Sequence, residues 1–252
     1  EGVEKSRNVG EDGFNISSCQ FAIHYFFQDA DLFHGFMTNV AQCTKLNGYF
    51  IGTAYDGKKV FNKLVDQSSV HLFRENKKIW EIKKEYDSVK FEDDASSFGH
   101  EISVYQESIN QYISEYLINF AYLEKVVERY GFRVLTAEEL LEIGFQKSVG
   151  SFESLFNNMM TTIKKNKGKM KDYGYCQNMS EPEKQISFMN NYFIFKKIRE
   201  VNLDNISLRE QRTSPISLTA STTPNTNVSQ ENKYSKSKII KLNMKMVVVP
   251  TF

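Results

Sequence analysis

Apolar residues along this chain fall into short runs and helix-spaced stripes that alternate through its first third. Phe14 to Ser18 reads as a buried strand. Asp29 and Asp31 favour a helix N-terminus. Leu32, Phe36, Val40 and Cys43 follow at helical spacing, and Asn47–Gly48 stops that helix. Tyr49 to Thr53 is a second apolar strand, and Gly57 leads into a short helix with Val60, Phe61 and Leu64 on one face. This alternation predicts a parallel α/β sheet in which Phe14–Ser18 and Tyr49–Thr53 are parallel neighbours.

The pattern then changes. Val70 to Arg74 and Ile79 to Lys83 flank the polar turn Glu75–Lys78, which predicts a β-hairpin standing outside the sheet. Glu92–Asp94 is an acidic loop, and Glu101 to Gln106 is a further strand. A helix face returns with Tyr116, Phe120, Leu123, Val127 and Tyr130, capped by Gly131. Phe132 to Leu135 is a strand, and Thr136 with Glu139 forms a capping-box pattern. Phe152, Leu155, Phe156, Met159 and Ile163 make an amphipathic stripe that runs into the basic segment Lys164 to Lys171. That segment reads as a solvated loop before it reads as a phosphate-binding one. Ser180, Pro182 and Glu183 mark a helix start, and Asn190 to Lys197, NNYFIFKK, is the last strand.

From about Val201 the character shifts. Ser214 to Asn232 is rich in Ser, Thr, Asn and Pro without apolar periodicity, so a disordered linker is expected there. Ile239 to Val249 regains β-like residues suited to an edge strand. The expected division is therefore a domain over 1–200 and a low-complexity tail over 201–252.

Composition narrows the function only by exclusion. A net charge of +1 gives no global polyelectrolyte signal, so any RNA contact must be local. The three cysteines are far apart and the four histidines lack ligand spacing, so neither a disulfide framework nor a metal site is expected. No apolar run reaches the roughly 20 residues that span a bilayer. The 20 phenylalanines and 13 tyrosines could serve a core or base stacking, and composition does not choose.

The most informative stretch is ISSCQFAIHYFF, Ile16 to Phe27, where Gln20 and His24–Tyr25 are polar tips among apolar residues just past a strand. Open α/β sheets bind ligands at that end. Taken singly, these residues read as a strand followed by a helix start with a satisfied histidine. The whole string resembles the Gln-Phe-Ala-Ile/Leu-His-Tyr signature of mRNA cap (guanine-N7) methyltransferases. Three further segments resemble that family: GYFIGTAYDGKKVFNKL from Gly48, SEYLINFAYLEKVVERYGF from Ser114, and NNYFIFKK from Asn190.

The resemblance implies a class I, S-adenosylmethionine (AdoMet)-dependent, Rossmann-like methyltransferase sheet with an inserted β-hairpin. It implies methyl transfer from AdoMet to N7 of a GpppN cap. That reaction needs no general base, because N7 offers a free lone pair and the methyl donor is already a sulfonium. Proximity and orientation should carry it, without a catalytic side chain or a metal. By resemblance, Gln20, Phe21 and Tyr25 contact AdoMet, and His24, Tyr25, Glu115 and Tyr192 contact the cap guanine. Glu115 would accept from the guanine edge; on its own it reads as a carboxylate in the first turn of a helix. Tyr192 on its own reads as a tyrosine packed in a strand.

The family's glycine-rich cofactor loop has no counterpart between Glu1 and Asn15. The sheet is therefore expected to be incomplete at its N-terminal side and the isolated chain to be inactive. Expected partners are the capped RNA 5′ end and a missing N-terminal half, with no membrane. NNYFIFKK and WEIKKEY look most like the methyltransferase modules of large-DNA-virus capping enzymes, which adds triphosphatase and guanylyltransferase domains as partners. The compartment would be cytoplasm or nucleus, or a virion or viral factory, and not the secretory route. Two other classes compete: an AdoMet methyltransferase with a different acceptor, and an inactive methyltransferase-like module that stimulates a capping enzyme.

Overall fold

Two β-sheets organise the molecule. The computed structural model describes residues 12–206 and 208, within one unit of the chain, Glu1–Gln211. The expected linker at Ser214–Asn232 and the terminal strand at Ile239–Val249 lie outside the described residues.

The first sheet contains β1 (Phe14–Gln20), β2 (Thr44–Tyr55), β7 (Phe132–Val134), β8 (Val149–Ser151) and β9 (Asn190–Lys197). Its order is β1-β2-β9-β7, with β8 also paired to β9. β1 and β2 run parallel, with Ser17 opposite Phe50 and Gln20 opposite Thr53. β9 is antiparallel to β2, β7 and β8, so a reversed last strand sits among strands that share one direction. The predicted parallel pair is thus present, in a mixed α/β sheet.

Three helices fix the layers around this sheet. α1 (Ala30–Cys43) starts at Asp29, whose side chain accepts from Leu32 N. It buries Phe33, Met37, Val40 and Ala41. The apolar face is therefore turned by one residue from the predicted stripe, and Leu32 and Cys43 point outward. α1 ends at Thr44, earlier than Asn47–Gly48, because β2 begins there. α3 (Phe120–Val127) packs on the same side, and Phe50, Phe132, Phe193 and Phe195 from the sheet fill the space between. Each fully buried ring of this kind contributes about 1.5–3 kcal/mol. Leu135, Leu140, Tyr192 and Ile194 form a smaller cluster against which Phe145, Phe152 and Leu155 pack. Phe152 and Leu155 belong to α5 (Phe152–Lys165).

Strand β1 departs from expectation. Phe14 and Ile16 are 47% and 55% exposed, and only Cys19 of the strand is buried. Among the described residues β1 pairs on one side alone, with β2, so its outer edge and much of its surface lack a covering layer.

The second sheet is larger than the predicted hairpin. β3 (Ser69–Arg74), β4 (Lys77–Lys84), β5 (Glu101–Gln106) and β6 (Gln111–Tyr116) form a four-stranded antiparallel sheet in chain order. The hairpin does stand outside the first sheet, but β5 and β6 extend it. Val60, Phe61 and Leu64 of α2 (Gly57–Lys63) and its C-cap pack against Trp80, Ile82, Ile102 and Val104 of this sheet.

The placement of Glu115 also corrects the sequence reading. It lies on β6 opposite Ile102, not in a helix first turn. The helix begins only after Asn119, whose side chain accepts from Tyr122 N and caps it.

Candidate active site

The site begins where β1 ends. Phe21 adopts φ 49°, a left-handed conformation that a non-glycine residue rarely takes. Such a backbone costs on the order of 1–3 kcal/mol unless its surroundings hold it. Here Phe21 N donates to Thr53 O at 2.9 Å, and the Phe21 ring lies edge-on to Phe152 at 6.1 Å. The kink turns the chain into a 3₁₀ helix, Ile23–Gln28. That helix sinks Ile23, His24 and Phe27 into the interior and leaves Tyr25 on the surface.

His24 comes from the first sheet's layer and Glu115 from the second. Their Nδ1 and Oε2 atoms are 3.6 Å apart. Both residues are buried, at 6% and 7% exposure. His24 Nε2 and Glu115 Oε2 have no hydrogen-bond partner among the described residues. Two orphaned polar atoms in one buried spot are costly, at about 1–3 kcal/mol each.

Burial sets the protonation of the pair. It pushes the His24 imidazole down to about 4 and the Glu115 carboxyl up to about 7. The 3.6 Å separation is beyond hydrogen-bonding reach, and the imidazole is neutral, so no charged partner offsets the desolvation of the carboxylate. At neutral pH His24 is uncharged and Glu115 is poised between its two forms. Tyr25 stacks edge-on to His24 with ring centroids 4.2 Å apart. Partial burial and then the Glu115 charge raise the Tyr25 hydroxyl above its ordinary value.

The structure brings His24, Tyr25 and Glu115 together. It does not bring the other sequence-predicted residues to them. The Gln20 amide lies along the sheet, donating to Ser18 Oγ and accepting from Thr53 Oγ1, both at 2.9 Å. Tyr192 pairs with Thr53 and Gly150 and packs in the cluster with Leu135 and Ile194, whereas Ile23 and Phe27 pack with Phe50 and Phe193 in the other. Neighbouring strand residues alternate faces, so Tyr192 is on the sheet face opposite Phe193. Its hydroxyl donates to Lys147 O at 3.1 Å.

Sequence reasoning missed Tyr55 and Trp80. Trp80 Nε1 donates to the Tyr55 hydroxyl at 2.9 Å and so ties β4 to the end of β2. Burial and then the Glu115 charge raise the Tyr55 hydroxyl well above its usual range. The available signal was the lone tryptophan of the chain, in a strand predicted to stand apart from the sheet.

Residues 3–198 match the mRNA (guanine-N(7))-methyltransferase domain. The chain belongs to that family. It is 28% identical over 211 residues to a probable mRNA-capping enzyme of Acanthamoeba polyphaga mimivirus, covering 75% of this chain and 18% of that protein. It is 26% identical over 191 residues to an mRNA cap guanine-N(7) methyltransferase of Candida albicans, covering 73% of this chain and 38% of that protein. The chain thus spans well under half the length of these relatives. Among solved structures, it resembles the CcbJ methyltransferase of Streptomyces caelestis at 9% identity and a TM-score of 0.41, covering 75% of this chain and 63% of that one.

Proposed function

We propose that this chain supplies the acceptor side of an mRNA cap guanine-N7 methyltransferase, which takes the guanine of a GpppN-capped RNA as its substrate. The observation that carries this reading is the buried His24–Glu115 pair with its two orphaned polar atoms. The guanine Watson–Crick edge presents N1–H and an amine. A carboxylate accepts from both, and such charge-assisted hydrogen bonds contribute about 1.5–3 kcal/mol. His24, as a neutral imidazole, offers one donor and one acceptor to the same base. Tyr25, 43% exposed beside it, gives an aromatic face for stacking.

The chemistry asks little else of the acceptor side. N7 attacks with its own lone pair, and no proton leaves. As the base gains a methyl group it gains positive charge, and the ionised Glu115 on its edge stabilises that charge. The family implies AdoMet as methyl donor. Phe21 and Tyr25, exposed at the carboxyl end of the parallel strands, fit one apolar wall for it, and Gln20 fits a polar contact. Bound AdoMet would supply an already activated methyl group; the residues here hold and orient the base that receives it.

The test is selective binding. Titrated with GpppA, IpppA and ApppA, the protein should prefer them in that order, because inosine lacks the amine and adenine lacks both donors. ApppA bound as tightly as GpppA would rule the guanine reading out.

A further inference from the structure

A second cavity, distinct from the His24–Glu115 pair, opens at the carboxyl end of β2. Its volume is about 390 Å³, within the roughly 300–1,000 Å³ of small-molecule sites. Asp56 lines it from just past β2, Asn191 and Tyr192 from β9, and Gly150 and Ser151 from β8, just before α5. Gly150 fits there: a Cβ would stand 2.5 Å from the Tyr192 hydroxyl, so a side chain would force the ring to shift.

The lining has the chemistry of a nucleotide site. Phe145 and Tyr192 form an aromatic wall, with centroids 5.2 Å apart and planes at 62°. Asn191 is only 9% exposed, and it lines the cavity. A side-chain amide offers both donor and acceptor to a base edge. Asp56 spends one carboxylate oxygen on Lys59 N and leaves lone pairs for ribose hydroxyls. Lys147, at the rim, makes no ion pair among the described residues, and the α5 N-terminus beside it favours an anion.

Its position relative to Glu115 gives the ligand. Asp56 forms a parallel bridge with Ile118, which follows Glu115 by three residues. Extended backbone covers about 10 Å in that distance. The residue before Asp56 is Tyr55, whose hydroxyl senses the Glu115 charge. The cavity and the buried pair thus flank the same short stretch of chain.

We propose that this cavity binds the first transcribed nucleoside of the capped RNA, so that the protein grips a GpppN end at both nucleosides. The proposal rests on the guanine reading above. Asn191 would read the base edge, Tyr192 and Phe145 would contact its face, Asp56 would take the ribose, and Lys147 would meet the bridging phosphates.

The experiment compares GTP, GpppA and AMP by calorimetric titration, with Asn191→Leu and Asp56→Asn as variants. Asp56→Asn keeps the helix cap of α2, so it guards against a variant that fails to fold. GpppA should bind about tenfold more tightly than GTP, a gain of about 1.4 kcal/mol. Either variant should erase that gain and leave GTP affinity unchanged. Equal affinity for GpppA and GTP in the unaltered protein, or equal loss of both ligands in both variants, would overturn the proposal. If GTP does not bind at all, the guanine reading fails, and AMP decides the cavity. Chemical-shift changes at Asn191 and Tyr192 on adding AMP would sustain it, and their absence would end it.

Discussion

Nδ1 of His24 faces Oε2 of Glu115 at 3.6 Å, although one residue belongs to a kink after β1 and the other to the edge strand of a separate sheet. At neutral pH His24 is uncharged and Glu115 sits midway through its titration, because both are buried without an offsetting partner. Guanine would offer Glu115 the two donors it lacks.

Replacing Glu115 with Gln should therefore cost guanine affinity. Gln keeps the shape but loses the charge and one acceptor oxygen. GpppA binding should weaken about ten- to a hundredfold, following the strength of a charge-assisted hydrogen bond. ApppA binding should hardly change. Calorimetric titration of both ligands checks this.

Guanine affinity should also depend on pH. On the proposed reading the ligand-binding form of Glu115 is the carboxylate, and in the free protein its value is about 7. Below that pH, binding must first expel a proton. Affinity should stay level above pH 8 and fall about tenfold per unit below pH 7. A titration series from pH 5.5 to 8.5 reads this slope, and Glu115→Gln should flatten it.

The same burial predicts a stability effect of opposite sign. Glu115 is raised from 4.5 to about 7 in the folded protein. Its contribution to stability is thus full below the unfolded value and lost as pH rises through about 7. At pH 8.5 the buried carboxylate costs about 3 kcal/mol that Gln would not incur. Glu115→Gln should raise Tm at pH 8.5 by about 5–10 °C more than at pH 5. Scanning calorimetry at the two pH values measures the difference.

Lys197 gives a purely structural prediction. It is 2% exposed, and its ammonium donates to Ala41 O at 2.7 Å and Thr44 O at 2.9 Å. It thereby pairs carbonyls at the end of α1 and ties β9 to that helix. Lys197→Met should lower stability by about 2–4 kcal/mol, because carbonyls at the helix end lose their partner. Urea denaturation should register the loss, while GTP affinity of the folded variant stays the same.

The parts of the fold that were legible in the sequence are those where local pattern and tertiary role agree. NNYFIFKK is β9 to the residue, and the capping box at Thr136 and Glu139 forms as read. Legibility failed where a local signal had two outcomes. Tyr116 and Phe120 look like one helical stripe, but the Asn119 cap and the pairing of Glu115 with Ile102 split them between a strand and a helix. Apolar Phe14 and Ile16 say buried strand, and periodicity cannot tell whether a neighbour covers them. Within the site, His24 and Tyr25 were legible from a contiguous string. Their meeting with Glu115, some ninety residues away, was accessible only through resemblance. Tyr55 and Trp80 were invisible because their contact depends on how two sheets dock.

The His24–Glu115 pair is divided between two sheets, which separates two tasks in space. β1 and its kink place His24 and Tyr25 at the carboxyl end of the parallel strands, while the four-stranded sheet brings the Glu115 carboxylate. Remodelling that sheet, or the Trp80–Tyr55 tether that sets its pose, would retune which base is accepted without disturbing the strands beneath. On the proposed reading, base choice would then be an exchangeable attachment on a fixed chassis.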